Sequence, residues 1–323
     1  MTRVRESSGA TTGAEPFAPP AIYAEKLCKT FRDFWRRPHV EAVRSVDLRV
    51  EPGRVFGLLG PNGSGKSTTL KMILGLLFPT SGTLEVLGAS PRSVEVKRRI
   101  GYLPEESRLY PHLSPLETLR FYAKLFRLPA ATARSRIDEL LEMTGLTHAR
   151  HRAVGEFSKG MARRVGLAQA LLNDPDLVLL DEPSSGLDPQ GARQVKDLIL
   201  ALGARGKTVL LTSHLLADVE DVCSEIAILF NGVRLAQGAL DELLTQRETT
   251  KLSFPTPDRP EVMTRVVEQV RSLLGVEPGV EHPRQALEPF FLDLIQRAAT
   301  PSATGAVPSA PLAAFLAKGG GAS

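Results

Sequence analysis

The sequence predicts an α/β protein organised around a largely parallel sheet, and three observations carry that expectation. Short apolar runs rich in branched residues, LVLL at 177–180, VLL at 209–211 and IAILF at 226–230, are separated by helical stretches. Parallel strands joined by crossover helices produce this alternation. The run VFGLL, Val55 to Leu59, is apolar throughout, as a fully buried strand should be. It leads through a glycine-rich turn into a helical pattern. Finally, Asn231-Gly232 follows IAILF and precedes VRLAQG, the signal of a two-residue hairpin, so the sheet is expected to end in an antiparallel pair.

The other elements follow in chain order. VDLRV, Val46 to Val50, alternates apolar and polar residues as a half-buried strand does, and Glu51-Pro52-Gly53 turns it into VFGLL. Ser114-Pro115-Leu116-Glu117 combines an N-cap serine, proline at the first helical position and glutamate at N3, a capping box that opens a helix towards Leu125. A second helix is expected from Ala131 to Thr144, stopped by Gly145. Met161, Val165, Ala168 and Leu172 place the segment after Lys159 on an amphipathic helix whose other face is expected to carry Arg163 and Arg164. Asn173-Asp174-Pro175 ends it. Two more amphipathic helices are read at Val262, Val266, Val270, Leu273 and at Leu287, Phe290, Phe291, Leu294, Ile295. Residues 1–20 and 298–323, rich in small residues and proline, read as flexible tails.

Composition removes several function classes. With 323 residues there is room for about two domains, or one large domain and an appendage. Hydrophobic residues at 42% and charged residues at 24% argue against a disordered, collagen-like or coiled-coil chain. A net charge of +4 is too small to imply a nucleic-acid partner, and none is expected. Cys28 and Cys223 are far apart and belong to no metal-binding spacing, so they read as two reduced cytosolic thiols. No signal-peptide core and no run of 18 apolar residues is visible, so the chain is not expected to cross a membrane alone.

The chemistry begins at GPNGSGKST: Gly60, Pro61, Asn62, Gly63, Ser64, Gly65, Lys66, Ser67 and Thr68. The segment fits Gly-x-x-x-x-Gly-Lys-Ser, a phosphate-binding loop, in the strand-loop-helix context that such a loop requires. Glycines let the backbone amides turn inward around phosphate oxygens, and the following helix start adds partial positive charge. Lys66 neutralises the β and γ phosphates, Ser67 offers its hydroxyl to Mg2+, and Thr68 is a further donor towards the α phosphate. In LVLLDEP, Asp181 and Glu182 emerge at the carboxyl end of a buried strand, where open α/β sheets bind ligands. Asp181 is placed to hold magnesium, and Glu182 to orient or deprotonate the attacking water.

With these residues the sequence resembles the ATP-binding cassette (ABC) ATPases over about residues 21 to 240. The resemblance implies a RecA-like P-loop NTPase core with an antiparallel β subdomain and an α-helical subdomain at about 105–172. It leaves 241–297 as a small helical C-terminal extension. FSKGM, Phe157 to Met161, stands where the family has its signature; Ser158 and Gly160 match, while Lys159 and Met161 depart from the usual Gly and Gln. The family pattern implies that Ser158 and Gly160 contact the γ phosphate held by a second cassette in a head-to-tail dimer, here expected to be a homodimer. A helix N-terminus aimed at phosphate makes physical sense of this.

SSGLDP resembles the D-loop, with Asp188 reaching across that dimer, and TSH puts His214 at the switch-histidine position. GYLPEE carries Glu105 where most relatives have a glutamine that touches magnesium and passes nucleotide state to the membrane partner; a carboxylate still binds a hard cation. Phe31 lies where relatives stack an aromatic on adenine, with Phe34 and Trp35 as rivals in the segment that follows.

The GLLGPNGSGKST loop, GYLPEE, SKGM and LEPFFLDLI look most like single-cassette ATPases of ABC-2-type exporters, which pair with separately encoded permeases. The resemblance implies ATP and Mg2+ as ligands, a transmembrane permease as partner, and a position on the cytoplasmic face of the cell membrane. Two alternatives remain at this point: a soluble ABC protein that remodels ribosomes or DNA, and a regulatory module that uses ATP as a switch.

Overall fold

The computed structural model describes residues 19–32, 38–245, 251–253 and 279–281, together with Phe290 and Arg297. Its first layer is a three-stranded antiparallel sheet. Strand β1, Ile22–Arg32, pairs on one edge with β2, Pro38–Val50, and on the other with β4, Ser81–Val86. Only the end of β2 is visible as alternation in the sequence. The rest is broken by register shifts between Ala24 and Leu27, Leu27 and Lys29, and Lys29 and Thr30, with positive φ at Lys26 and Ser45. Bulges insert unpaired residues, and a period-two pattern does not survive them.

The central sheet has six strands in the order β5-β6-β7-β3-β8-β9: β3 Val55–Leu59, β5 Ile100–Leu103, β6 Leu177–Asp181, β7 Thr208–Ser213, β8 Glu225–Phe230 and β9 Val233–Ala239. The first five are parallel, and β9 returns antiparallel beside β8 as expected. Asn231 and Gly232 both have positive φ, at 49° and 79°, the geometry of the type I′ turn that suits strand twist.

Burial on both faces explains why these strands lack alternation. In β3, Phe56 and Leu58 pack with Ile22, Leu27, Val46 and Leu48 of the antiparallel layer and with Leu70 and Ile73 of helix α1, Lys66–Ile73. Val55 and Leu59 belong to the cluster on the opposite face. β6 divides likewise, Leu177 and Leu179 to one side and Val178 and Leu180 to the other.

A short helix, α2 Val94–Arg98, precedes β5. Between β5 and β6 the chain forms α3 Pro115–Leu125, α4 Ala130–Met143 and α5 Lys159–Leu171. The capping box is present in full: Ser114 Oγ accepts from the amide of Glu117, and the Ser114 amide donates to Glu117 Oε2 at 2.9 Å. Gly145, with φ 65°, ends α4, its amide bonding Glu142 O while that of Leu146 bonds Leu141 O, as in a Schellman stop.

One expectation for α5 is corrected. Arg164 is partly exposed, but Arg163 is buried, 4% exposed. Gly166, Leu167 and Ala170, three, four and seven residues after Arg163, are also buried. This helix is therefore covered on the side opposite Val165 and Ala168 too.

Helices α6 Pro189–Ala204, α7 Leu216–Val222 and α8 Leu240–Leu244 complete the fold. Leu240 and Leu244 are buried in the larger apolar cluster, against which Phe290 also packs. Lys251–Ser253 pairs antiparallel with Gly279–Glu281, a pairing the sequence reading did not include. The helix expected at 262–273, residues 1–18 and residues 298–323 lie outside the described residues, as does the second expected C-terminal helix apart from Phe290 and Arg297, both helical.

Candidate functional site

The loop between β3 and α1 is shaped by backbone that only glycine adopts readily. Gly60 and Gly65 have φ of 154° and 103°, and a Cβ on Gly65 would stand 2.5 Å from the carbonyl oxygen of Ala42 in β2. The β8–β9 turn braces the loop from behind: the Gly232 amide donates to Ser64 O at 3.1 Å, and the Arg44 amide donates to Gly232 O at 2.7 Å. Lys66 opens α1 and is buried. Its Nζ donates to Gly60 O at 2.6 Å and Pro61 O at 3.1 Å. Burial pulls its pKa below the ordinary lysine value, opposed by the charges of Glu182, Asp181 and Glu105.

At the end of β6, Asp181 and Glu182 are both buried. The parallel register sets Asp181 beside Thr212 of β7, whose hydroxyl donates to Asp181 Oδ1 at 2.6 Å. The Glu182 amide donates to Thr212 Oγ1 at 3.0 Å. Glu182 has φ 49°, a left-handed conformation that costs a non-glycine residue about 1–2 kcal/mol. It places the carboxylate Oε2 2.7 Å from Nδ1 of His214. Arg163 lies on the other side of this turn, donating to the carbonyls of Asp181, Glu182 and Pro183. Burial pulls its pKa down as well, with Asp181 the leading opposing charge.

A cavity of about 760 Å³ collects the parts, a size that suits a small-molecule ligand. Asn62 to Thr68, Glu105, Glu182 and His214 line it, and Phe31 closes one side with Val40 of β2. Phe31 is exposed, with Lys29 Nζ 5.4 Å from its ring centre; its rivals Phe34 and Trp35 lie outside the described residues. Gly60, Pro61 and Asp181 are not among the residues that line this cavity, and neither are Ser158, Gly160 and Asp188. Ser158 caps α5 by accepting from the Met161 amide at 3.2 Å, and Asp188 caps α6 by accepting from the Gly191 amide at 3.1 Å. These two caps adjoin one another, since a Cβ on Gly160 would lie 3.5 Å from Leu187, beside Asp188.

The donor set fits a nucleoside triphosphate. Nothing lies within 4 Å of the Cβ position at Gly63, so the face of the loop is open, and the buried hydroxyl of Ser64 has no partner among the described residues. A lysine and a helix start face the same space.

Two residues of this arrangement escaped the sequence reading. Thr212 had a usable signal, a pair of polar residues that follows the apolar run Val209 to Leu211 in the strand TVLLTS. Arg163 had only an indirect one, the small and apolar residues Gly166, Leu167 and Ala170 on its own helix face.

Comparison with known proteins agrees with this geometry. Residues 43–185 match the family model described as ABC transporter. The chain is 38% identical over 305 residues to an uncharacterized ABC transporter ATP-binding protein, all4389, of Nostoc sp. (strain PCC 7120), covering 86% of this chain and 91% of that one. It is 41% identical over 204 residues to the Nod factor export ATP-binding protein I of Cupriavidus metallidurans, covering 62% of this chain and 67% of the relative. Among solved structures, the dimeric post-hydrolysis state of the ATP-binding cassette MJ0796 bound to ADP and Pi superimposes with a TM-score of 0.62 at 26% identity, covering 68% of this chain and 98% of that one. The expected cassette fold is thus the observed one. The chain belongs to the ABC transporter ATP-binding proteins, and it is the ATP-binding, ATP-hydrolysing subunit of such a transporter.

Proposed function

We propose that this subunit powers an ABC-2-type exporter, working at the cytoplasmic face of the cell membrane on a separate permease. The observation that carries the export reading is the 41% identity to the Nod factor export ATP-binding protein. No helix among the described residues is long and apolar enough to cross a membrane, so the spans would belong to the partner. In this reading residues 21–240 form the cassette, with its helical part at about 105–172, and 241–297 are an extension to it.

The proposed mechanism assigns each residue a task its chemistry supports. Loop amides from Gly60 to Thr68 and the Lys66 ammonium hold the phosphates, and Phe31 stacks on the base. Ser67, Asp181 and Glu105 supply the hydroxyl and carboxylate oxygens that a hard cation takes. When bound, Mg2+ would neutralise charge on the β and γ phosphates. Glu182 accepts a proton from the attacking water, and His214 holds the Glu182 carboxylate in line. Ser158, Gly160 and Asp188 form the face offered to a second copy, so two chains close head to tail over two nucleotides and hydrolysis reopens them.

Affinity purification of the tagged chain from detergent-solubilised membranes tests the export reading. A polytopic protein should co-purify and stimulate ATP hydrolysis. Recovery of ribosomes or RNA in a salt-sensitive complex, with no membrane protein, would replace it with the soluble alternative.

A further inference from the structure

Arg163 is the one buried arginine among the described residues, and its hydrogen bonds go to the main chain. Its guanidinium has five N–H donors in a rigid plane, and all five bonds go to main-chain carbonyls. Nη1 donates to Pro104 O and to Glu105 O at 2.7 Å; Nη2 donates to Asp181 O at 2.5 Å and Glu182 O at 2.8 Å; Nε donates to Pro183 O at 3.3 Å. The acceptors come from two stretches distant in sequence, the loop that follows β5 and the turn that follows β6.

The consequence for Glu182 is geometric. The carbonyls of 181, 182 and 183 are drawn to one side and the Glu182 amide is held by Thr212, so hydrogen bonds flank the left-handed backbone at Glu182. Its side chain leaves on the cavity side, where it meets His214. Strained backbone persists only where surrounding bonds over-determine it, and Arg163 with Thr212 provides that over-determination.

We propose that Arg163 is a positioning residue for ATP hydrolysis. It fixes the backbone that aims Glu182 and, through the same plane, ties that backbone to the loop carrying Glu105. A shift of Pro104 and Glu105 is then transmitted to Glu182 as a movement of the carbonyls the guanidinium holds. Lysine keeps the charge but has three donors on a flexible stem and cannot reproduce the fork. The proposal rests on the reading of Glu182 as the group that activates water.

The test compares steady-state kinetics of the full chain with Arg163→Lys and Arg163→Gln, each normalised to its ATP-binding fraction by titration. A misaimed base should lower kcat on the order of 10²-fold in both variants, while KM for ATP stays within about twofold, because the phosphate loop is untouched. In a Glu182→Gln background, adding Arg163→Lys should cost nothing further in single-turnover rate, since both changes act through one group. Wild-type kcat in both variants overturns the proposal. So does a parallel loss of kcat and ATP affinity, which would mean general support of the fold.

If neither variant folds, hydrogen exchange on the unmodified protein decides the matter. Segments 103–106 and 181–185 should change protection together on ATP addition, and independent change overturns the proposal. Rapid hydrolysis by Glu182→Gln alone would instead sink the reading of Glu182, a result obtained without touching Arg163.

Discussion

Nδ1 of His214 stands 2.7 Å from Oε2 of Glu182, joining the residue that follows β7 to the residue that follows β6. The pair faces the cavity that Lys66 and the phosphate loop line. Glu182→Gln keeps the shape of this surface but removes the proton acceptor. Turnover should fall by about 10²–10⁴-fold or more, while ATP-dependent dimerisation persists. Size-exclusion chromatography with ATP, alongside a phosphate-release assay, checks both halves; a variant that neither hydrolyses nor dimerises contradicts the assignment.

Lys66→Ala removes a cation from a site built for phosphate. ATP affinity and turnover should both drop, in contrast to the Glu182 variant. Because burial lowers the pKa of Lys66, its charge is lost on the alkaline side before the ordinary lysine value of 10.5 is reached. ATP affinity of the unmodified protein should therefore weaken as pH rises towards that value, and Lys66→Arg should remove the alkaline fall. Calorimetric titration across pH measures this.

Phe31→Ala should raise KM for ATP through loss of base stacking, worth about 1–3 kcal/mol per base, with kcat changing less. Its exposure on β1 beside the cavity means that the fold loses little by the change. An unchanged KM would hand the stacking role to the 33–37 segment.

Gly65→Ala should disable nucleotide binding. A Cβ there meets Ala42 O at 2.5 Å, and the φ of 103° is strained for any L side chain. Loss of ATP-induced protection against thermal unfolding is the readout.

Ser114→Ala should destabilise the protein by about 1 kcal/mol through loss of the cap on α3. The amide of Ser114, followed by its hydroxyl, holds the Glu117 carboxylate below its ordinary pKa. A depressed carboxylate adds stability that is complete above its unfolded value and disappears as pH falls through its folded value. Glu117→Gln should therefore flatten the decline of stability below about pH 4.5; chemical denaturation at several pH values reports it.

How much was legible before the fold was seen follows from the range of each signal. The phosphate loop, the acidic strand end, the capping box and the Asn231-Gly232 turn are each written in adjacent residues, because each is a local backbone geometry with few solutions. Strand β1 was not read, because its bulges interrupt alternation. The surroundings of Arg163 are not legible in the sequence, because a helix with one apolar stripe looks amphipathic even where a second buried face carries Gly166, Leu167, Ala170 and one cation.

The sequence by itself determined the parallel α/β class, the phosphate loop and the two carboxylates at a strand end. The tertiary structure alone decided that Thr212 joins the Asp181 carboxylate to the Glu182 amide, that His214 meets Glu182, that Phe31 lines the same cavity as the loop, and that one guanidinium holds two remote turns together. Turns and caps depend on residues next to one another, whereas these contacts depend on how parallel strands are ordered and registered. That order is set by burial of the whole sheet, a sum over many residues that no short motif contains.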